Sequence, residues 1–327
     1  MSNFELTVLG TASALPMAHR YPSAQVLSVP GRLFLIDCGE GTQMQLRRGG
    51  FSFLKIEAVF LSHTHGDHCF GIFGLLSTMS MLGREQPLKV FAPVTFAPIL
   101  DFFLQQFGGE LRFPVEHVAL EMEGPQNIYT SSRMTVDAFP LEHVVPCYGF
   151  VFRQTEPPLN IRKELIGQYH LSIAEMAALK RGEDVLRPAG SFTRSCAENG
   201  FIPQSGTDEP CLLKAEDFTY VPYRPASYAY CSDTRPFSRL ADWVRGVNLL
   251  YHEATYLSNM EDKAFVRGHS TAAQAARCAR EAGASRLLLG HFSSKVTNHQ
   301  LFLEEAREIF PACRLANELE SYDICGS

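Results

Sequence analysis

The sequence of 327 residues has few of the features that mark a disulfide-framed or globally basic protein. Its nine cysteines form no Cys-x-x-Cys pair, and several, such as Cys38 and Cys231, lie in apolar runs. We therefore expect reduced, mostly buried thiols rather than a disulfide frame or a thiolate metal site. The net charge of −6 excludes a globally basic nucleic-acid binder, so any polyanion would have to meet a local basic patch.

Targeting and membrane signals are also missing from the pattern. No apolar run reaches membrane-spanning length. Residues 1–5 lack the basic start of a secretory signal and run directly into a strand-like segment. These absences predict a cytoplasmic protein with no membrane partner.

What is present predicts a large α/β core. Hydrophobic residues make up 46% of the chain, and its length suffices for one large domain or two small ones. In the N-terminal part, short apolar runs bounded by Gly, Pro and Asp favour β-strands, and two longer runs favour helices at 71–83 and 97–107. The predicted strands cover 4–10, 25–29, 32–37, 58–62 and 87–93.

The C-terminal third repeats this alternation of strands and helices. Strands are predicted at 228–232, 248–252 and 286–290. A helix is predicted from Ser270, as its N-cap, to a stop at Gly283. Two halves that each mix sheet and helix indicate two packed sheets with helices outside.

The middle of the chain, 154–224, is richer in charge, proline and glycine. It contains one short predicted helix at 171–182, where Ser172 and Glu175 have capping-box spacing. We interpret 154–224 as an arm-like insertion within a single domain of residues 1–327. Its basic residues include Arg162, Lys163, Lys180, Arg181, Arg187 and Arg194, and they alternate with carboxylates.

A loop directly after the predicted strand at 58–62 carries a dense set of metal-binding side chains: His63, His65, Asp67 and His68. Alternation along an extended segment places His63 and His65 on the same side of the chain. Imidazole and carboxylate groups suit zinc. Two ions roughly 3.5–4 Å apart form a hydrolytic centre known from several enzyme classes, and such a pair needs more ligands than this loop supplies.

The remaining candidate ligands each follow an apolar run. These are His143 after 136–142, Asp233 after 228–232 and His291 after 286–290. A strand end joins rigid scaffold to open solvent, which suits a preorganised site. A carboxylate such as Asp233 can bridge two cations with its two oxygens.

Together these motifs resemble the metallo-β-lactamase superfamily, with Asp37 in 36–39 as a further match. The resemblance implies an α/β fold of the αββα four-layer sandwich type, with a dinuclear zinc site at its rim. Finer motifs resemble the ribonuclease Z family, which matures tRNA 3′ ends. They lie at 9–16, 41–43, 71–76, 146–150, 232–236, 251–255, 268–271 and 290–295.

The resemblance implies a role for each site residue. His63, His65 and His143 would hold one zinc ion; Asp67, His68 and His291 would hold the other; Asp233 would bridge them. His269 would act as general acid, and Glu253 would orient His269. On chemical grounds, Asp67 can also hold the proton of the shared hydroxide as well as bind metal.

The implied activity is a zinc-dependent endoribonuclease that removes 3′ trailers from precursor tRNA and leaves a 3′-hydroxyl and a 5′-phosphate. Two Zn²⁺ per chain and a homodimer are also implied, with the 154–224 arm gripping the tRNA.

Several alternatives stay open from the sequence. His269 has a second interpretation as a helix-capping neighbour of Ser270, and Glu253 as a buried ion pair without a catalytic role. The same metal site would serve a hydrolase of small or cyclic nucleotide phosphodiesters. A thioester hydrolase fits the Glu253 and His269 motifs less well. A non-catalytic nucleic-acid-binding protein with a relic site would be expected to have lost at least one ligand.

Overall fold

The computed structural model describes residues 4–15, 17–188 and 210–326; Arg194 of the predicted arm lies outside them. The chain divides into two compact units, one of Met1–Gln154 with Ala226–Ser327 and one of Thr155–Pro225. Within the described ranges, every helix is too short or too polar to cross a membrane.

The first unit contains two seven-stranded mixed sheets. In the first sheet the order is β18-β1-β2-β3-β4-β5-β6, and the pairs from β3 to β6 are parallel. Its strands are β1 (Glu5–Gly10), β2 (Ala24–Val29), β3 (Arg32–Cys38), β4 (Ile56–Phe60), β5 (Leu88–Pro93), β6 (Val115–Leu120) and β18 (Ser321–Asp323).

In the second sheet the order is β17-β16-β15-β14-β9-β8-β7. The pairs from β14 to β17 are parallel, and those from β7 through β9 to β14 are antiparallel. Its strands are β7 (Gln126–Thr130), β8 (Met134–Leu141), β9 (Cys147–Gln154), β14 (Ser227–Cys231), β15 (Leu249–Glu253), β16 (Leu287–Gly290) and β17 (Cys313–Leu315).

Helices cover the outer faces of both sheets. Buried side chains of α1, α3 and α4 pack on the first sheet, and those of α8, α10 and α11 pack on the second. The helices of this unit are α1 (Thr42–Arg48), α2 (Gly66–Cys69), α3 (Gly71–Met81), α4 (Ala97–Phe107), α8 (Leu240–Trp243), α9 (Glu261–Arg267), α10 (Ala272–Ala282) and α11 (Gln300–Arg307).

The main core lies between the two sheets. Phe60 and Phe91 of the first sheet stack with ring centroids 4.7 Å apart. The Phe60 ring also meets Phe150 of the second sheet edge-on at 5.5 Å, and Phe152 at 5.2 Å. Fully burying such side chains stabilises the fold by roughly 1.5–3 kcal/mol each. This αββα arrangement confirms the predicted fold class.

One predicted helix start was wrong by one residue. The N-cap of α10 is Thr271 and not Ser270. The Thr271 hydroxyl accepts from the Gln274 backbone N–H, and the Gln274 side chain accepts from the Thr271 backbone N–H, which completes a capping box. Ser270 instead donates its hydroxyl to the Thr234 carbonyl. The predicted stop at Gly283 is confirmed, since its φ of 62° is left-handed.

The second unit has a small core of its own, which includes Ile161, Leu179, Leu213 and Phe218. The capping box predicted from Ser172 and Glu175 is confirmed at the start of its longest described helix. Its elements are β10 (Asn160–Ile161), α5 (Lys163–Gln168), α6 (Ile173–Lys180), β11 (Val185–Arg187), β12 (Cys211–Leu213), α7 (Ala215–Phe218) and β13 (Thr219–Tyr220).

Candidate metal centre

The candidate site residues converge because they lie at or just beyond the carboxyl ends of strands. The 63–68 loop follows β4, His143 follows β8, Asp233 follows β14 and His291 follows β16. In open α/β sheets the carboxyl ends of parallel strands form the common ligand-binding edge. All seven predicted metal ligands meet at this edge of the first unit.

The first cluster consists of His63, His65, His143 and Asp233. His63 Nε2 lies 3.0 Å from His65 Nδ1, and His143 Nε2 lies 3.3 Å from the same His65 atom. Asp233 Oδ2 faces His63 Nε2 at 3.6 Å and His143 Nε2 at 3.8 Å. These four atoms aim at one point.

The second cluster consists of Asp67, His68 and His291, with the other oxygen of Asp233. His68 Nε2 and His291 Nε2 are 3.3 Å apart. Asp67 Oδ2 is 3.4 Å from His291 Nε2 and 3.5 Å from His68 Nε2. Asp233 Oδ1 is 3.5 Å from His68 Nε2 and 3.4 Å from His291 Nε2. Asp233 therefore presents one oxygen to each cluster.

The donor atoms of each cluster are spaced to coordinate one cation. Zinc–nitrogen bonds of about 2.0–2.1 Å imply ligand atoms about 3.3 Å apart at tetrahedral angles, close to the spacings in both clusters. Asp233 Oδ1 is buried and, among the described residues, has no hydrogen-bond partner. A buried carboxylate oxygen without a partner is costly unless a cation meets it.

The ring nitrogens that do not face the clusters are held by hydrogen bonds. His68 Nδ1 donates to Asp37 Oδ2 at 2.7 Å, and His143 Nδ1 donates to the Gly268 carbonyl at 2.7 Å. His291 Nδ1 lies 2.9 Å from the Thr255 hydroxyl. Such contacts fix the tautomer and orientation of a ligating histidine.

Asp37 is a positioning residue to which the sequence analysis assigned no role. Its side chain is fully buried, and it accepts hydrogen bonds from the Ser62 backbone and hydroxyl and from the Tyr230 hydroxyl at 2.7, 2.9 and 2.6 Å. Its φ of 54° lies in the left-handed region, a strain that the surrounding contacts must hold. A carboxylate that closes an apolar strand was the signal that could have identified it.

Position 268 must be glycine because the backbone there passes close to the ring of the candidate metal ligand His143. Its φ is 75°, and a Cβ there would lie 2.8 Å from His143 Nδ1. A side chain at this position would push the His143 ring out of the first cluster. Gly268 thus positions His143 both through its carbonyl and through its lack of a side chain.

His269 and Glu253 form a second polar unit beside the metal ligands. His269 Nδ1 lies 3.0 Å from Glu253 Oε1, and the His269 ring stacks on the His291 ring at 5.5 Å. Burial alone would lower the pKa of His269, but the carboxylates of Glu253 and Asp233 outweigh it and raise that pKa to about 9. A histidine held in this way favours its protonated form.

The carboxylates make the centre attractive to cations. Burial alone would lower the pKa of His68, but Asp233, Asp67 and Asp37 together raise it to about 10. Burial, followed by the neighbouring His68, lowers the pKa of His63 well below its ordinary value. A bound metal would replace the proton on His68, so metal binding is coupled to proton release.

The two clusters open into a cleft of about 550 Å³. Its wall includes Asp67, His143 and His269 together with Tyr256, Arg267 and Ser293. Metal ligands and the His269 side chain thus face one solvent-accessible space, which is large enough for a phosphodiester and part of its neighbours.

Comparison with solved structures supports the fold. The short form of human tRNase Z superposes with a TM-score of 0.66 at 24% identity, covering 98% of this chain and 99% of the human one. The metallo-β-lactamase fold protein YhfI from Bacillus subtilis superposes with a TM-score of 0.64 at 19% identity, covering 98% of both chains. The chain therefore has the metallo-β-lactamase fold.

Sequence comparison gives the family. A family model described as "Anti-Pycsar protein Apyc1" matches residues 4–156, somewhat less than half of the chain. Ribonuclease Z of Bacteroides thetaiotaomicron is 37% identical over 322 residues, which cover 97% of this chain and 94% of that relative. With this identity over nearly the full length of both proteins, the chain belongs to the ribonuclease Z family.

Proposed function

We propose that the chain is a zinc-dependent endoribonuclease that removes 3′ trailers from precursor tRNA. The observation that carries the proposal is a cleft in which two ligand clusters share Asp233 and stand beside the His269–Glu253 pair. A phosphodiester hydrolase needs both charge neutralisation and a proton for a poor leaving group. The family relationship to ribonuclease Z supplies the substrate class.

The proposed cofactor is two Zn²⁺ per chain, one in each cluster. His63, His65 and His143 would hold one ion, Asp67, His68 and His291 the other, and Asp233 would bridge them. When bound, the ions would neutralise the non-bridging oxygens of the scissile phosphate and lower the pKa of a water to about 7.

The remaining chemistry belongs to the side chains. The carboxylate of Asp67 accepts the proton of the attacking water. His269 gives a proton to the departing 3′-oxygen, while the Glu253 carboxylate fixes its tautomer. The products are a 3′-hydroxyl on the tRNA and a 5′-phosphate on the trailer.

The test offers the zinc-loaded protein a 3′-extended precursor tRNA and a bis-aryl phosphodiester side by side. We expect the precursor to be cut just after the discriminator base. A chelator should abolish both activities, and added zinc should restore them. Cleavage of the aryl ester alone would favour the alternative, a hydrolase of small or cyclic nucleotide phosphodiesters. Cleavage of neither by a protein with two bound zinc ions would favour a relic site.

The inserted segment 154–224 is proposed to grip the body of the tRNA. Its exposed cations include Arg162, Lys163 and Lys180, whereas Arg181 and Arg187 pair with Glu183 and Glu175. Footprinting of bound precursor should then protect phosphates far from the cleavage point. A cytoplasmic location, testable by cell fractionation, agrees with the buried thiols of Cys38, Cys69 and Cys231, which form no disulfide.

A homodimer is proposed from the family resemblance and from an exposed apolar surface. A cavity of about 690 Å³ between α3 and α4 is bordered by Met81, Phe102 and Phe107, which are 77%, 63% and 61% exposed. Apolar patches of this kind on a soluble protein mark interaction sites, and a two-fold dimer would bury the patch against itself.

Charge in this apolar surface should therefore separate the subunits. We expect Met81→Glu with Phe102→Glu to halve the molar mass measured by light scattering, because two carboxylates cannot be buried in a self-contact. The control is Leu301→Glu, an exposed leucine of α11 in the opposite helix layer, which should leave the mass unchanged. A monomeric unmodified protein would contradict the homodimer.

A further inference from the structure

Three cations lie beside one end of the cleft: Arg267 lines it, Lys263 is four residues before Arg267, and Lys295 is two residues after the lining residue Ser293. Lys263 and Arg267 belong to α9, and Lys295 lies four residues after the ligand His291. The charge of Lys295, with some burial and the charge of Arg267, lowers the pKa of the Lys263 ammonium. Among the described residues, no carboxylate lies within 4 Å of any of the three cations, whereas Arg181 and Arg187 have such partners.

This cation cluster, Lys263, Lys295 and Arg267, adjoins the His269 side of the metal centre. The Lys263 ammonium lies 5.3 Å from the ring centroid of Tyr256, and the Tyr256 ring lies 6.0 Å from the His269 ring. Tyr256 is 8% exposed and forms part of the cleft wall together with Arg267. The cation cluster is therefore one aromatic ring away from the proposed general acid.

The backbone holds these groups in place. The Tyr256 N–H donates to the Ser270 carbonyl at 3.3 Å, and the Tyr256 carbonyl accepts from the Ala272 N–H at 3.1 Å. The His269 N–H donates to the Ala264 carbonyl at 2.9 Å, which ties α9 to the loop that carries the acid. Like charges held together without counter-charges repel one another, and a bound anion relieves that repulsion.

We propose that Lys263, Lys295 and Arg267 bind the RNA phosphate one nucleotide upstream of the scissile phosphate. This inference rests on the proposed function. His269 protonates the oxygen that leaves with the upstream fragment, so groups on the His269 side of the cleft meet that fragment and not the trailer. Backbone neutralisation by lysine and arginine supplies most of the affinity for nucleic acid. The cation cluster thus fixes the position of the 3′-terminal nucleotide of the mature tRNA.

The experiment pairs a protein change with a substrate change. Lys263→Gln with Lys295→Gln removes two charges, and a methylphosphonate linkage removes the charge of one chosen phosphate of the precursor. In the unmodified protein, the upstream methylphosphonate should raise KM roughly two- to fivefold, since an exposed ion pair is lost. In the Gln variant the same linkage should raise KM less than it does in the unmodified protein, because only Arg267 is left to meet that phosphate. A methylphosphonate one nucleotide downstream should cost both proteins equally.

Salt dependence gives a second measurement. The slope of log KM against log salt concentration should fall by about 0.7 in the Gln variant if one single-strand phosphate contact is lost. Lys263→Arg with Lys295→Arg should restore both the slope and the sensitivity to the upstream linkage. The matched control is Lys55→Gln with Lys89→Gln. Both lysines are exposed, Lys55 directly before β4 and Lys89 in β5, and this double variant should keep the slope of the unmodified protein.

Failure of the proposed phosphate contact can be distinguished from failure of the proposed function. If the Gln variant, with its circular dichroism and zinc content intact, loses as much from the upstream methylphosphonate as the unmodified protein does, the phosphate contact is overturned and the endonuclease stands. If the unmodified protein cuts no precursor at all, the proposed function and this inference both fall.

Discussion

Replacing Asp233 with alanine should reduce precursor cleavage by at least about a hundredfold and lower the bound zinc from two ions per chain to one or none. Asp233 presents one oxygen to His63 and His143 and the other to His68 and His291. A single substitution thus removes a ligand from both clusters at once. Zinc content by elemental analysis and cleavage rate should fall together.

Asp233→Asn is the sharper companion to this experiment. It keeps the size of the side chain and one acceptor oxygen but removes the charge and one bridging contact. We expect it to lose less zinc than Asp233→Ala while still losing most turnover. Asp242→Ala, at an exposed carboxylate paired with Arg245 on the surface, serves as the control. Full zinc content and full turnover in Asp233→Ala would refute the bridging role.

The clustered histidines were predictable because their spacing is local. Four ligand candidates fall within 63–68, so short-range geometry already brings them together. Asp233 and His291 were predictable for a different reason, since each follows a buried apolar strand and parallel strands end at one edge. Asp37 carries the same signal, since it lies near the end of the apolar strand β3, but its role was not assigned. Its contact with His68 at 2.7 Å depends on the parallel pairing of β3 with β4, which the local pattern does not give.

Some strands of the two sheets were missed, for two different reasons. The pattern gave no strand for β6, β7 or β9. β6 and β7 are largely half-buried or exposed, so polar residues dilute their alternation. β9 is almost wholly buried and pairs with β8 on one side and β14 on the other. The inserted segment separates β14 from β8 and β9 in sequence, so the central position of β9 depends on long-range pairing. Edge strands and long-range pairing are the parts of this fold that local pattern does not encode.

Replacing His269 with alanine should separate two kinds of substrate. Cleavage of the precursor should fall by about 10²–10⁴-fold, because its leaving 3′-oxygen needs a proton. Hydrolysis of an activated aryl phosphodiester should fall by less than about tenfold, since an aryl oxide leaves without that proton. The zinc content should stay at two ions, and His19→Ala, at an exposed histidine, provides the matched control. Equal losses on the two substrates would remove the general-acid role.

Glu253 is the wrong place for the same test. Its carboxylate accepts from the backbone N–H groups of Thr234, Thr255 and Ser270 as well as from His269. A Glu253 substitution would therefore loosen the loops that carry Asp233 and His291, and lost activity would not distinguish orientation of the acid from damage to the metal centre. Substitution of His269 removes the proton donor without removing these backbone contacts of Glu253, so it is the better test.

The protonation of His269 sets the direction in which the rate of precursor cleavage should change with pH. Glu253 and Asp233, acting against burial, raise the pKa of His269 to about 9 in the metal-free chain, and bound cations would lower it by repulsion. The active form is the protonated one, so precursor cleavage should be lost as pH rises through this pKa, with the loss beginning below pH 9. The aryl ester should lack that alkaline decline, and so should His269→Ala on either substrate. An alkaline decline that persists in His269→Ala would assign the titration to another group, because the alanine has no proton to lose.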